Sequence, residues 1–143
     1  MNRTVAILVF AGLLWTGLNQ FAGVHQSQRY SGAADREIAA AFRDQRSGVQ
    51  VSGEGVVAKV LSDDRNGSPH QRFILRLATG QTVLVAHNTD LAPRIAHLAV
   101  GDTVAFSGQY EWNEKGGVIH WTHADPDGRH AAGWLKHAGE TYQ

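Results

Sequence analysis

The chain begins with an uncharged and mostly apolar run at residues 4–23, which follows Arg3. At a helical rise of about 1.5 Å per residue, a run of this length can cross a hydrocarbon core of roughly 30 Å. A water-soluble helix would leave this apolar surface exposed on all sides. We therefore predict that residues 1–23 are a signal peptide or a membrane anchor.

The flanks of this run indicate how it is used. Signal peptidases require small residues at positions −3 and −1, and a cut after Ala22 would place Gln20 at −3. This favours an uncleaved single-span anchor, with a buried core helix as the alternative. Arg3 precedes the run and no comparable positive excess follows at once, so the N-terminus is expected inside. The predicted location is extracytoplasmic, either periplasmic or anchored in the inner membrane with the domain outside.

A helical pattern follows the apolar run. In residues 33–46, acidic side chains lie in the first turns and basic ones in the last, and Gly48 follows as a stop. Ile38 and Phe42 share one narrow apolar face, which we expect to dock on the domain. A partner helix is the alternative, although a coiled-coil seam needs several heptads. Residues 24–48 are thus predicted to be a helical connector.

From residue 49 onward, the apolar positions recur every second residue, which is typical of half-buried strands. The gap at residues 88–101 carries Pro93 and apolar residues at helical spacing, so it predicts a short helix. The predicted fold of residues 49–143 is therefore mostly β: a small five-stranded OB-like barrel with a short helix between strands 3 and 4. The five predicted strands are residues 53–61, 71–78, 81–87, 102–112 and 117–123.

Composition narrows the possible functions. A chain of 143 residues can bury one core, so one globular domain is expected. Thirteen Lys and Arg balance thirteen Asp and Glu, which excludes a global basic field for nucleic acid or anionic membranes. The chain has no Cys, which excludes disulfides, thiolate zinc sites, thiol nucleophiles and a lipidated Cys. Any recognition of an anion must use a local patch.

Barrels of the OB type bind ligands on the face of strands 2 and 3 and with the loops between strands 1 and 2 and strands 4 and 5. Polar residues are frequent at these places, although solvated loop and edge residues are the alternative interpretation. The candidate ligand-binding residues are Asp63, Asp64, His70, Arg72, Arg76, His87, Asn113 and Lys115.

The C-terminal tail is rich in His and Trp. Imidazoles and carboxylates close in sequence could bind zinc or another divalent metal, the one cofactor that the sequence suggests. On a regular strand, however, His120 and His123 face opposite sides, so joint ligation needs a bulge. The alternative is a hydrogen-bonded surface that packs Trp121 and Trp134 over an open end of the barrel. The candidate metal ligands are His120, His123, Asp125 and His130.

Three stretches carry a family resemblance. They are HQRFILRL at residues 70–77, VAHNTDLAPRI at residues 85–95 and GQYEWNEKGGVIHWTHADPDGRHAAGWLKHAGETYQ at residues 108–143. Together they resemble the bacterial family known as domain of unknown function 3465, over roughly the whole chain after Gly53. The resemblance implies a single compact domain in an exported context. It implies no catalytic residue.

A second resemblance is fainter. Asp63, Asp64, Arg72, Arg76 and Asp90 are of the kinds found in staphylococcal-type nucleases, which are OB barrels with acidic metal ligands and phosphate-facing arginines. A divalent ion there would neutralise phosphate and activate water. The DGDT-type run of that family is absent here, and no Glu stands near the third strand as the expected base. A predicted base would have to be one of the histidines, His70 or His87.

Two functions follow from these patterns. The preferred one is an extracytoplasmic binding or interaction module for an anionic small molecule, a saccharide or an envelope protein, attached to the membrane through its N-terminal segment if that is uncleaved. The alternative is a metal-dependent phosphodiesterase or nuclease, and only this alternative predicts nucleic acid as a partner. A folding or assembly factor that contacts protein alone is a third option. Whether the protein is an enzyme stays open at this stage.

Overall fold

A computed structural model describes residues 32–143. The predicted signal peptide or anchor at residues 1–23 and the start of the connector lie outside this range. Within it, no helix is long and apolar enough to span a bilayer. Residues 32–43 form a helix, α1. Seven strands follow: β1 (Val49–Val60), β2 (His70–Arg76), β3 (Thr82–Asn88), β4 (Thr103–Glu111), β5 (Val118–His120), β6 (Trp134–His137) and β7 (Glu140–Tyr142).

The first five strands close into a barrel. Strands β1, β2 and β3 pair in antiparallel order, and β3 then pairs with β5 in parallel. Strand β4 pairs with β5 on one edge and with β1 on the other, and both of these pairings are antiparallel. The pairing order is therefore β1-β2-β3-β5-β4 and back to β1. The prediction of a mostly β, five-stranded barrel is confirmed.

The core lies inside this barrel and follows the predicted alternation. On β2, Phe73 and Leu75 point inward and are fully buried, as are Phe106 and Tyr110 on β4. Complete burial of each such side chain contributes about 1.5–3 kcal/mol. The inward face of every long strand thus supplies the apolar interior, while the alternate residues form the outer face.

Helix α1 packs on the barrel through its apolar face. Ile38 and Ala41 are fully buried, and Phe42 packs partly against the core. The close approach depends on Gly53 of β1, since a Cβ there would lie 2.7 Å from the Cβ of Ala34. Residues 32–43 of the predicted connector are thus helical, and their apolar face lies on the barrel.

The predicted short helix between strands 3 and 4 is wrong. Residues 89–102 form successive turns instead. Two side chains from inside the barrel bind the backbone of this segment. The Gln71 amide donates to the carbonyl oxygen of Ile95 (3.0 Å) and accepts from its N–H (2.9 Å), and His87 Nε2 donates to the carbonyl oxygen of Pro93 (3.1 Å). Because these bonds satisfy buried backbone groups, the segment needs no helix to enter the barrel end.

The predicted strand at residues 117–123 is shorter than expected, because β5 ends at His120. The chain then leaves the barrel wall and returns as β6, which pairs with the same edge of β4 that β5 uses. Residues 121–133, here called the 121–133 loop, are therefore an excursion within one wall of the barrel. The reason is local backbone geometry: Trp121 has a φ of 54°, which no strand residue adopts.

Candidate functional site

The outer face of the barrel carries an apolar row. Lys59 of β1 lies beside Ile74 of β2, Ile74 beside Leu84 of β3, and Leu84 beside Val118 of β5. A bulge in β1 between Val57 and Lys59 shifts the register, which brings Lys59 next to Ile74. Three half-buried aliphatic side chains therefore form a strip across three strands, with a lysine at one end.

Cations surround this row. Arg72 and Arg76 lie on the same outward face of β2, two residues before and two residues after Ile74. Lys115 is exposed in the loop between β4 and β5. Arg72 donates from Nε to the carbonyl oxygen of Ser62 (3.1 Å), which holds it against the β1–β2 loop. Among residues 32–143, none of Lys59, Arg72, Arg76 and Lys115 forms an ion pair.

A pocket of about 210 Å³ lies over Ile74 and Leu84 of this row, and residues of the adjoining loops line its sides. Asn113 shapes the β4–β5 loop, because its Oδ1 accepts the backbone N–H groups of Lys115 (2.9 Å) and Gly117 (3.0 Å). The candidate binding face consists of this pocket and the four cations. The pocket is lined by Leu61, Ile74, Thr82, Val83, Leu84, Asn113, Lys115 and Gly117.

The polar residues predicted in the β1–β2 loop have local partners. Both carboxylate oxygens of Asp63 accept from Nη1 of Arg94, at 2.7 and 2.8 Å. Asp64 accepts the backbone N–H of Asn66 (3.0 Å), and His70 donates from Nδ1 to the carbonyl oxygen of Ser68 (2.7 Å). These bonds organise the loop, and none of them directs a side chain into the pocket.

His87 lies inside the barrel and not on its outer face. It is fully buried, its Nε2 donates to the carbonyl oxygen of Pro93, and its Nδ1 accepts from the hydroxyl of buried Thr122 (2.8 Å). This arrangement fits a neutral imidazole with the proton on Nε2. Burial lowers the pKa of His87, against the opposing effect of its bond to Pro93. The side chain joins three segments of the fold and has no path to an external ligand.

The predicted metal ligands are held by other partners. His120 Nε2 lies 3.4 Å from Glu111 Oε1, and burial lowers the pKa of His120 although Glu111 opposes the shift. His123 is buried and donates from Nδ1 to the carbonyl oxygen of Ala124 (2.7 Å). The ring of His130 stacks on Trp121, with ring centroids 3.8 Å apart.

Asp125 is the most fully engaged of the four. Its carboxylate accepts the backbone N–H groups of Asp127 (3.0 Å), Arg129 (2.5 Å) and His130 (2.7 Å). These hydrogen bonds lower the pKa of Asp125, and the bond from the His130 N–H has the largest effect. In the part of the chain that the structure describes, no three His, Asp or Glu side chains are grouped so that they could hold a metal ion. Metal binding stays a prediction, as does the nuclease alternative.

Two important residues were missed at the sequence level. Gln71 has the same inward parity as Phe73 and Leu75, so the alternation itself marked it as a buried polar side chain. The alternation provided no signal for Lys59, because only the bulge in β1 places it beside Ile74. A period of two in the sequence cannot report where the register shifts.

The fold and the outer face define a small closed β-barrel with an apolar strip framed by cations. The model of the family described as protein of unknown function (DUF3465) matches residues 22–143. The chain therefore belongs to this family, as the resemblance in three stretches of the sequence predicted. No curated protein matches the chain.

Proposed function

We propose that this chain is an extracytoplasmic binding module, and that its OB-like barrel holds an anionic ligand on the outer face of β2 and β3. One observation carries the proposal: the aliphatic strip Ile74–Leu84–Val118 is flanked by four cations that form no ion pair within residues 32–143. Cations used only for solubility are commonly interspersed with anions. Here they flank an apolar strip, which provides both an attractive charge and a contact surface.

The spacing of the cations indicates the size of the ligand. Arg72 and Arg76 are four residues apart on one strand, which corresponds to roughly 13 Å at a strand rise of about 3.3 Å per residue. A ligand with two negative groups spaced over roughly that distance can contact both arginines. Ile74 lies between them, so the body between the negative groups should be apolar. An acidic peptide and an anionic saccharide share this chemistry.

The composition of the face argues against single-stranded nucleic acid. Proteins that bind it on such barrels stack the bases on aromatic side chains. Ile74 and Leu84 occupy the centre of this face, and the pocket over them has no Phe, Tyr or Trp in its lining. An anion without stacked bases therefore fits the surface better.

The test is a titration of the full chain with hexaglutamate and, separately, with a sulfated hexasaccharide. The double variant Arg72→Gln/Arg76→Gln should weaken binding about 2- to 30-fold, since exposed ion pairs contribute about 0.2–1 kcal/mol each. The matched control Arg36→Gln/Lys136→Gln removes two exposed cations elsewhere and should leave the affinity unchanged. Failure of both probes to bind, or an equal effect of the two double variants, would contradict the proposal.

The proposed location has a separate basis, the apolar run at residues 4–23. A phosphatase reporter that is active only outside the cytoplasm, fused after residue 143, should show activity in bacterial cells. The same fusion without residues 1–23 should lose that activity. An active reporter in both fusions, or in neither, would contradict export through this segment.

A further inference from the structure

The 121–133 loop is a self-contained addition to the barrel. Strands β5 and β6 occupy consecutive parts of the same β4 edge, so the barrel wall continues on both sides of the loop. Glycines make the narrow neck possible. A Cβ on Gly133 would collide with the carbonyl oxygen of Trp121, and a Cβ on Gly108 with that of His120. Compact surface loops whose ends meet in this way are frequently functional.

Hydrogen bonds within the 121–133 loop also make it rigid. The carboxylate of Asp125 accepts three backbone N–H groups from the turn that follows it, and Gly133 N–H donates to the carbonyl oxygen of His123 (2.8 Å). Thr122 and His123 are buried and anchor the base of the loop. The loop therefore presents a preformed surface, and a ligand would not need to order it first.

That surface contains a pocket of about 370 Å³ between the loop and the segment after β3. Its apolar part comes from Trp121, Pro126 and Leu91, and Leu91 leaves 45% of its surface exposed. Its polar part comes from Asp125, Asp127, Arg129 and His130. The volume falls within the range of about 300–1,000 Å³ that is usual for small-molecule sites.

Trp121 has a backbone φ of 54°. A positive φ is uncommon for a bulky residue and costs roughly 1–3 kcal/mol. Here the positive φ ends β5 and places the indole in the pocket. The indole stacks on His130 there, and Leu91 lines the same pocket. Closure of the barrel does not require this strained conformation, because β5 has already ended and β6 pairs with β4 only from Trp134 onward. The strained residue thus contributes the aromatic part of the apolar wall of the pocket.

Two carboxylates and one guanidinium line the pocket. Arg129 donates from Nη2 to Asp127 (2.6 Å), and the Asp125 carboxylate is occupied by backbone N–H groups. The one guanidinium that lines the pocket is therefore paired with a carboxylate, in contrast to the cations on the face of β2 and β3. His130 covers one face of the Trp121 ring, so the pocket offers the rest of the indole with Pro126 and Leu91 as its apolar surface. Planar hydrogen-bonding groups lie beside that surface, which suits a ligand with C–H faces and hydroxyl edges.

We propose that the pocket formed by the 121–133 loop and Leu91 binds a neutral saccharide ring. The apolar face of the sugar packs against Trp121, Pro126 and Leu91, and its hydroxyl groups bond to Asp127 and Arg129. This site is separate from the proposed anion-binding face, shares none of its residues and does not depend on that function. Either proposal can fail while the other stands.

The test is calorimetric titration of the full chain with three neutral probes: cellotriose, maltotriose and triacetylchitotriose. At least one should bind with a Kd below about 1 mM. Trp121→Asn should weaken that binding at least about tenfold, since Asn tolerates the left-handed backbone while removing the indole. Asp127→Asn/Arg129→Gln changes only exposed side chains and should weaken it about fivefold or more.

Two controls make the result decisive. Trp134→Phe alters a half-buried indole outside the pocket and should leave sugar binding unchanged, and Arg72→Gln/Arg76→Gln should also leave it unchanged. If none of the three sugars binds, the proposal is overturned. It is equally overturned if a sugar binds and Asp127→Asn/Arg129→Gln, which keeps the fold intact, has no effect on its affinity.

Discussion

The two hydrogen bonds between the Gln71 amide and the Ile95 backbone give a sharp test of how residues 89–102 are held. Gln71 has 1% of its surface exposed and reaches a residue 24 positions away in the chain. Gln71→Leu keeps most of the side-chain volume and removes both bonds. It leaves the Ile95 N–H and carbonyl groups buried and unpaired.

The magnitude follows from those two groups. Each buried and unsatisfied polar group costs about 1–3 kcal/mol, so the two groups left by Gln71→Leu should lower the free energy of unfolding by about 2–6 kcal/mol. With a urea dependence of about 2 kcal/mol per M, the unfolding midpoint should fall by roughly 1–3 M. Gln50→Leu is the matched control, because Gln50 is exposed and its amide makes only a 3.4 Å contact with Ser107. It should change stability by no more than about 0.5 kcal/mol.

Gln71→Glu tests which groups donate and which accept in the two hydrogen bonds between Gln71 and Ile95. The introduced carboxylate can still accept the Ile95 N–H, but its other oxygen faces the Ile95 carbonyl oxygen with no proton between them. Its folded pKa should therefore lie above its unfolded value of about 4.3. Stability of this variant should be nearly normal below that value, where the protonated carboxyl donates as the amide does, and should fall as pH rises through the folded pKa.

The assay is urea unfolding of the full chain, followed by circular dichroism, at several pH values. Amide hydrogen exchange at Ile95 gives a local readout and should accelerate in Gln71→Leu more than exchange in the barrel strands. A loss of less than about 1 kcal/mol in Gln71→Leu would refute the account of this segment. So would a Gln71→Glu variant whose stability has the same pH dependence as the unmodified chain.

Three further predictions concern buried groups and the loop neck. Burial lowers the pKa of His87, so the stability that neutral His87 contributes should be complete above the unfolded pKa of about 6.5. That stability should decline as pH falls through the folded pKa, with a slope of at most about 1.4 kcal/mol per pH unit. His87→Gln should make the free energy of unfolding, measured in urea, depend less on pH across this window, and the exposed-site control His97→Asn should not. Burial raises the pKa of Asp35 against the opposing effect of the backbone groups of Ala78 and Thr79, so Asp35→Asn should stabilise the chain at pH 8. That gain should shrink as pH falls through the folded pKa of Asp35, and a less stable variant at pH 8 would contradict this. Gly133→Ala should cost about 1–3 kcal/mol or more, because its Cβ would meet two backbone oxygens, whereas Gly128→Asn, at an open position that Asn tolerates, should cost less than about 1 kcal/mol in thermal melts.

The sequence alone determined the barrel and the faces of its strands. A period of two reports which side chains share a face, because successive residues of a strand point to opposite sides. Phe73 and Leu75 were therefore correctly placed inside and Arg72 and Arg76 outside. The same parity reports only direction, so it could not show which of the outward residues become neighbours.

Only the tertiary structure decided the rest of the candidate sites. The bulge in β1 set the register that brings Lys59 to Ile74, and bonds from Gln71 and His87 kept residues 89–102 from forming the predicted helix. The backbone turn at Trp121 opened a loop where the alternation predicted a continuous strand. In each case, the deciding interaction joins residues distant in the chain or depends on one backbone angle, and a local hydrophobic period contains neither kind of information.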